Sequence, residues 1–412
     1  MKTSLAILAG LMIAAAPAAA AQTKVAPLPR LRASGVRFVT AQGAPVNLRG
    51  VNLGGWFVQE MWMNPFVQDP PAGSAYRRVE DHVGLWSTIR RRLGTKAEAT
   101  AREKYRQCWV QPSDFRRIKA AGFNHVRLPF LYDLPDEPNG MAWLRKAVAW
   151  ANASGLYVVL DMHGAPGRQS NDHTTGQAGV NRFFFDPVMV SRCEAVWTRV
   201  AREFGANPGV AAFDLINEPT GAPNPATLHL VYNRLYLAVR KVAPNTVVIV
   251  DDGYKGFDTT PHANVAGWKN VAYSLHFYNF DAKSPEEQIG SLNGRLPRTI
   301  ELRGYRNAPV YVGEFNIEPH GTPAIMSQYV KTLSDNDFSW AVWTFKTMNP
   351  SGPMGLWGLY SNPGAVDPIN PFADTTAQML AKIEQTRTER LAPAAGLLAA
   401  FQAAAASRGG LR

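Results

Sequence analysis

Two glutamates stand at the ends of apolar runs, where a carboxylate is well placed for chemistry. The run Ala211–Pro219, AAFDLINEP, is typical of a buried strand that ends in an amide, the carboxylate of Glu218 and a proline. The run Pro309–Phe315, PVYVGEF, presents Glu314 in the same way. In barrels of alternating strands and helices, catalytic side chains lie where such strands end. We therefore expect Glu218 and Glu314 to face one another as a pair of catalytic carboxylates.

Further polar and aromatic side chains follow the other apolar runs and are expected on the same rim. They are Asn52 and Glu60 after the first run, Arg127 on the second, Asp161 and His163 on the third, Asn217 on the fourth, His276 and Tyr278 at the sixth, and Trp343 on the eighth. This combination of residue types suits acid/base cleavage of a glycosidic bond. Carboxyl groups ~5–5.5 Å apart would indicate a nucleophile, and a wider gap a base that activates water.

Each of these residues alone also has a structural explanation. Asn-Glu-Pro can be an ordinary polar turn, Arg127 can be a structural salt-bridge partner, and His163 a buried histidine with satisfied hydrogen bonds. Trp343 alone would more often belong to the core. The combined pattern favours a catalytic site more than any single residue does.

The elements that must position these residues alternate between strand and helix, which predicts a (β/α)₈ barrel. Predicted strands cover Val46–Leu53, His125–Leu128, Tyr157–Met162, a run ending at Glu218, Thr246–Val250, Val271–His276, Val310–Glu314 and Phe338–Trp343. Predicted helices cover Ser113–Ala121, Trp143–Ser154, Val188–Phe204, Pro225–Val242, Pro285–Leu292, Thr322–Leu333 and Thr375–Thr386. The alternative, an open doubly wound sheet, lacks the G-x-G-x-x-G that would follow one of its strands.

The long segment between the first strand and the first helix, from Trp56 to about Pro112, is rich in aromatic residues and is expected to line the site. Residues 30–388 are predicted to form one catalytic domain. The Ala- and Gly-rich segment 389–412 is expected to be either a docked helix or a disordered tail.

Composition and charge limit the function classes. The chain is 46% hydrophobic and 18% charged, which suits a globular protein with a large core. Met1–Ala21 matches a secretory signal peptide, so we expect export to the periplasm or medium, without stable membrane insertion after cleavage. The net charge of +11 is spread along the chain, so we expect no nucleic-acid partner. A monomer is expected, and the cysteines Cys108 and Cys193 could be buried thiols or one disulfide.

The chain resembles glycoside hydrolase family 5, the large family of retaining β-glycanases. The resemblance covers residues 46–346 and rests on six segments: NHVRLPF with Arg127, VVLDMHGAPG with His163, LINEPTG with Asn217 and Glu218, LHFYNF with His276 and Tyr278, VYVGEFN with Glu314, and WAVWTFK with Trp343. Two further segments, VNLGGWFVQE and HGAPGRQSND, are similar to the exo-β-1,3-glucanase branch. The chain departs from that branch by having Phe277 between His276 and Tyr278, and Phe315 after Glu314.

The resemblance implies a role for each site residue. Glu218 would be the acid/base and Glu314 the nucleophile. Arg127 and Tyr278 would hold Glu314, Asn217 would bind the 2-hydroxyl, and Trp343 would form the floor under the sugar. His163 and His276 would orient the site, and Glu60 and Asp172 would bind hydroxyls of a terminal glucose. The expected partner is a β-linked oligo- or polysaccharide, and no cofactor or metal is expected.

Other functions remain open from the sequence. Within the same family the chain could be an endo-acting cellulase or mannanase, or a glucosylceramide-type hydrolase. In another class it could be a non-catalytic carbohydrate-binding protein of the cell envelope. A serine hydrolase is excluded because no G-x-S-x-G occurs.

Overall fold

A computed structural model describes residues 26–253 and 260–406. Its strands are β1 (Leu31–Ser34), β2 (Arg37–Thr40), β3 (Pro45–Val46), β4 (Arg49–Asn52), β5 (His125–Leu131), β6 (Tyr157–Gly164), β7 (Val210–Asp214), β8 (Val247–Asp251), β9 (Val271–Phe277), β10 (Val310–Phe315), β11 (Ser339–Val342), β12 (Lys346–Thr347), β13 (Tyr360–Ser361) and β14 (Ala392–Pro393). Its helices are α1 (His82–Leu93), α2 (Thr95–Trp109), α3 (Pro112–Ala120), α4 (Gly140–Ala153), α5 (Pro187–Phe204), α6 (Pro225–Arg240), α7 (Ala263–Ala266), α8 (Pro285–Arg306), α9 (Pro323–Asp335), α10 (Thr376–Glu384) and α11 (Ala395–Ala406).

Strands β4 to β11 form a closed barrel in chain order, which confirms the predicted (β/α)₈ fold. Each strand pairs in parallel with the next, and β11 returns to β4 through Trp340 opposite Arg49. Every residue of β5 to β11 is buried, because helices cover the outside and side chains fill the inside. All carboxyl ends of the strands therefore open on one rim.

Two predicted strand boundaries are wrong in ways that matter for the site. The fourth strand was expected to end at Glu218, but β7 ends at Asp214, and residues 215–219 continue as irregular backbone. The first strand was expected to begin at Val46, but Val46 pairs with Phe38 in a separate antiparallel sheet. In that small sheet Leu31 and Phe38 are buried and join Tyr157 and Tyr311 in one apolar cluster.

The long aromatic segment is more ordered than the sequence pattern indicates, since α1 and α2 account for nearly half of it. Asp81 caps α1 by accepting a hydrogen bond from the Gly84 backbone N–H at 2.7 Å. Only the part before these helices reaches the catalytic cavity, through Glu60 and Trp62. The expectation that this segment lines the site therefore holds for its first residues alone.

Helix α8 is longer than predicted, because it continues through Pro297 to Arg306. A proline inside a helix removes one backbone hydrogen bond and costs roughly 3 kcal/mol. Leu292, Leu296 and Leu302 are buried along one face of α8, so packing offsets this cost.

The C-terminal segment contains a docked helix, α11. Phe401 is buried, with its ring 4.9 Å from that of Phe123 and 5.9 Å from that of Trp340. Helix α11 thus covers the outside of the barrel at β11, whereas residues 407–412 lie outside the described part. The proposed boundary of the catalytic domain at residue 388 stays a prediction.

Cys108 and Cys193 are both free and buried, so the thiol alternative holds in this structure. Cys193 lies on α5, with its Sγ 3.4 Å from the Sδ of Met162. Among the residues that the model describes, no helix is long and apolar enough to cross a membrane. The predicted signal peptide, Met1–Ala21, lies outside the described residues.

Candidate active site

The two predicted carboxylates meet at the carboxyl rim of the barrel. Glu314 is the fifth residue of β10, and Glu218 lies in the irregular backbone after β7. Glu218 has a φ of 42°, in the left-handed region that L-residues seldom adopt and that recurs at functional sites. One carboxylate oxygen of each residue and a ring nitrogen of His276 all lie within 4.8 Å of one another. The structure therefore brings the two glutamates close together, and their catalytic roles stay predictions.

Two donors hold the side chain of Glu314. Arg127 donates from Nη1 to Oε1 at 2.8 Å, and the Tyr278 hydroxyl donates to Oε2 at 2.8 Å. Glu314 is 5% exposed, so these bonds replace most of its solvation. Both oxygens keep a fixed orientation, as a carboxylate nucleophile needs.

Arg127 is fully buried at the centre of a polar cluster. Besides Glu314 it contacts Asp161 at 3.1 Å, Asp214 at 3.0 Å and the Asn217 amide oxygen at 2.7 Å. Burial alone would lower the pKa of Arg127, but these carboxylates hold that pKa well above its usual value. Burial raises the pKa of Asp161 and of Asp214 to about 7, because one guanidinium cannot offset the desolvation of several acids.

Glu218 faces a different partner, the imidazole of His276. The Nδ1 atom of His276 lies 2.7 Å from Glu218 Oε1, and its Nε2 lies 3.2 Å from Asp251 Oδ2. Burial lowers the pKa of His276 to about 3, so the ring is neutral near pH 7. Glu218 and Glu314 thus have different neighbours, a neutral imidazole ring beside the first and a guanidinium beside the second.

His163 and Trp343 form a stacked pair in the same site as the two carboxylates. Their rings are stacked with centroids 5.5 Å apart, and His163 Nδ1 lies 2.7 Å from Asp161 Oδ2. Burial lowers the pKa of His163 to about 4, so this ring is also neutral. Gln169 fixes the backbone beneath by donating to the carbonyls of His163 and Asn217, both at 2.8 Å. This pair is thus uncharged, and the backbone at His163 is held in place by hydrogen bonds.

These residues open into a cavity of about 440 Å³, which lies within the size range of small-molecule sites. Its lining consists of carboxylate, aromatic, imidazole and hydroxyl side chains: Glu60, Trp62, His163, Asp172, His173, Thr174, Glu218, Tyr278, Phe280, Glu314, Trp343 and Trp357. Tyr278 and Phe280 stack with ring centroids 5.1 Å apart, and Trp62 meets Trp357 edge-on at 5.0 Å. Aromatic faces beside hydrogen-bonding groups are suited to a sugar ring.

Glu60 is buried in the wall of this cavity. Trp62 donates from Nε1 to its Oε2 at 2.8 Å, and His173 Nε2 lies 3.7 Å away. Its other oxygen, Oε1, has no hydrogen-bond partner among residues 26–253 and 260–406. Burial raises the pKa of Glu60 to about 8, because no full cation is close enough to offset desolvation. A protonated or partly protonated carboxyl group that faces a cavity is ready to bond a ligand hydroxyl.

All ten predicted site residues belong to this site, but they occupy two different positions. Glu60, His163, Asp172, Glu218, Tyr278, Glu314 and Trp343 line the cavity. Arg127, Asn217 and His276 stand behind them, and the amide oxygen of Asn217 is already bonded to Arg127. The Asp172 side chain is 54% exposed and pairs with His173 at 2.9 Å, which lowers the pKa of Asp172 to about 2. The roles that the resemblance implies for these residues stay predictions.

Several cavity residues are not among those that the sequence pattern singles out. Trp62, His173 and Phe280 each lie one or two positions from a predicted residue, and their aromatic type was the available signal. Trp357 comes from a loop between β12 and β13, and nothing in its local sequence indicates that it reaches the cavity.

Comparison with known proteins agrees with this geometry. Residues 94–349 match the family model described as Cellulase (glycosyl hydrolase family 5). The chain is 33% identical over 280 residues to the probable glucan 1,3-beta-glucosidase A of Neosartorya fischeri. This alignment covers 65% of each chain. It is 27% identical over 355 residues to a beta-xylosidase of Phanerodontia chrysosporium, covering 78% of this chain and 72% of the relative.

Among solved structures, the fold is similar to that of rutinosidase from Aspergillus niger. The TM-score is 0.57 at 21% identity, and the match covers 73% of this chain and 90% of the other. At this identity the likeness concerns the fold alone. The match to the Neosartorya relative spans 65% of its length, so about a third of that protein has no counterpart in the alignment.

Proposed function

The chain belongs to glycosyl hydrolase family 5, and on this basis we propose that it is a retaining β-glycoside hydrolase. The observation that carries the proposal is the contrast between the paired carboxylates. Glu314 accepts hydrogen bonds from the Arg127 guanidinium and from the Tyr278 hydroxyl, whereas Glu218 faces the neutral ring of His276. One acid poised to exchange a proton and one fixed anion are what a double displacement requires.

In the first step, Glu314 attacks the anomeric carbon while Glu218 donates a proton to the departing glycosidic oxygen. A covalent glycosyl–enzyme forms, and the aglycone leaves with that proton. In the second step, Glu218 takes a proton from water, whose oxygen attacks the anomeric carbon and releases Glu314. The separation of at most 4.8 Å between carboxylate oxygens supports this route, because an inverting pair needs roughly 6.5–9.5 Å for an intervening water.

The proposed substrates are β-linked glucosides or glucans, cleaved from a chain end. The cavity of about 440 Å³ suits one terminal sugar ring, and Glu60 and Asp172 supply carboxyl oxygens for its hydroxyls. The printed name of the Neosartorya relative, a glucan 1,3-beta-glucosidase, supports the exo-β-1,3 preference. Glu60, Asp172 and Asn217 are proposed to bind sugar hydroxyls, and Trp343 to support the ring.

Export of the protein is a separate proposal, which rests on the sequence of Met1–Ala21. Amino-terminal sequencing of the protein recovered from the periplasm or the medium tests it. A mature amino terminus at Gln22 supports export, and retention of Met1 with the protein inside the cell contradicts it. A monomer is also proposed, and light scattering of the purified protein measures it.

The variants Glu218→Gln and Glu314→Gln test the catalytic assignment. Each should lower kcat on laminari-oligosaccharides by about 10²–10⁴-fold, while the variant still unfolds cooperatively in denaturant. On an aryl β-glucoside with an acidic leaving group, Glu218→Gln should lose much less, because that leaving group needs no proton. Glu314→Gln should lose equally on both substrates.

The matched control is Glu286→Gln, which changes an exposed glutamate in the first turn of α8. Full activity in either active-site variant would contradict the proposal. If Glu314→Gln were the variant that the acidic leaving group rescues, the two roles would be reversed. Proton NMR should detect the β-anomer first from a β-glucoside, and an α-anomer would refute the nucleophile.

A further inference from the structure

A second cavity, of about 480 Å³, lies next to the catalytic one. Its lining contains an indole, amides and both signs of charge: Met61, Trp62, Gln68, Arg78, Glu80, Asn171, Asp172, His173 and Ala178. Arg78 donates to the Gln68 amide oxygen at 2.7 Å, so part of this polar surface is already ordered. An aromatic ring beside planar hydrogen-bonding groups suits a carbohydrate ring, as in the catalytic cavity.

Three side chains line both cavities and form a partition between them: Trp62, Asp172 and His173. Within the partition, His173 contacts two carboxylates. Its Nδ1 lies 2.9 Å from Asp172 Oδ1, and its Nε2 lies 3.7 Å from Glu60 Oε2. The His173 side chain is 40% exposed although it contacts both carboxylates. That exposure fits a side chain with open space on both of its sides.

The partition stands at the part of the catalytic cavity where Glu60 and Asp172 are proposed to hold the terminal sugar. A further sugar on the non-reducing side of the sugar being cleaved would have to pass through the partition. Resting on the proposed function, we infer that His173 limits cleavage to a single terminal sugar. The second cavity would then be a latent site for a sugar attached to the non-reducing side of the sugar being cleaved.

His173 is the member of the partition that can be removed with least disturbance. Trp62 holds Glu60 and packs against Trp357, so its loss would alter the catalytic cavity itself. Asp172 accepts a hydrogen bond from the Thr174 backbone N–H at 3.2 Å and so caps the short helical turn His173–Thr175. His173→Ala removes the imidazole and leaves that cap in place.

The test compares the wild-type chain with His173→Ala and His173→Gln on a β-1,3-linked gluco-oligosaccharide labelled at its reducing end. The wild type should release the monosaccharide at each step. His173→Ala should release the disaccharide as an early product, because the next sugar can now enter the second cavity. His173→Gln retains a side chain of similar reach and should keep the monosaccharide as product.

Release of the monosaccharide alone by His173→Ala, with hydrolysis of an aryl β-glucoside retained, would overturn the inference. Failure of the wild type on every β-glucoside would instead overturn the proposed function, and this inference with it. Binding supplies a second measurement that does not depend on turnover. In a Glu314→Gln background, His173→Ala should bind the β-1,3-linked disaccharide about tenfold more tightly than glucose by calorimetry. Equal affinities there would also refute the latent site.

Discussion

The buried carboxyl group of Glu60 should make the folded protein less stable as the pH rises. Its pKa is raised to about 8 from 4.5, mainly by burial. Between these values the unfolded chain has released the proton while the folded chain retains it. The free energy of unfolding therefore falls by about 1.4 kcal/mol per pH unit in this window because of Glu60, and is unaffected by it below the unfolded pKa.

The whole effect follows from the two pKa values. Between pH 4.5 and about pH 8, the free energy of unfolding falls by about 5 kcal/mol because of Glu60. This figure is the largest effect expected. The substitution Glu60→Gln keeps the shape of the side chain and removes the proton equilibrium. The variant should therefore gain stability relative to the wild type as the pH rises, and the gain should level off above about pH 8.

The assay is urea unfolding of the wild type, Glu60→Gln and the exposed control Glu80→Gln, without ligand, at several pH values between 4 and 9. Other buried acids, such as Asp161 and Asp214, contribute to all three proteins and cancel in the differences. We expect the difference between Glu60→Gln and the wild type to grow by several kcal/mol, and that for Glu80→Gln to stay flat. Parallel pH profiles for Glu60→Gln and the wild type would refute the reasoning.

Three further predictions follow from buried groups elsewhere in the chain. Replacing Arg127 by Met should reduce the free energy of unfolding near pH 7 by ~3–5 kcal/mol, because the buried carboxylates around it lose their cation; a loss below about 1 kcal/mol in denaturant unfolding would contradict this. Replacing Phe401 by Ala should cost ~3–5 kcal/mol if α11 is part of the folded unit, whereas the exposed neighbour Gln402→Ala should change stability by less than about 1 kcal/mol. Burial raises the pKa of both Cys108 and Cys193, so a thiol reagent should react slowly with the native protein. After unfolding without reductant it should label two thiols, and the absence of labelling would indicate a disulfide.

The barrel was predictable because its strands are buried on both faces and read as continuous apolar runs. No continuous apolar run indicates α1 and α2, because these helices carry many charged residues. They also lie within a long insertion between the first two barrel strands. Likewise, Gly294 and Pro297 suggest an early end to α8, but packing of its leucines against the barrel outweighs these local preferences.

The sequence by itself determined where the catalytic side chains emerge, because a residue that follows an apolar strand must lie at the carboxyl rim of a parallel barrel. Glu218 and Glu314 are placed in this way. Only the tertiary structure decided their surroundings, such as the five side chains that share the Arg127 guanidinium and the burial that raises the pKa of Glu60. The physical reason is that charge interactions and desolvation depend on distances between residues remote in sequence. The partition at His173 is of the same kind, since it exists only where two loops from different strands meet.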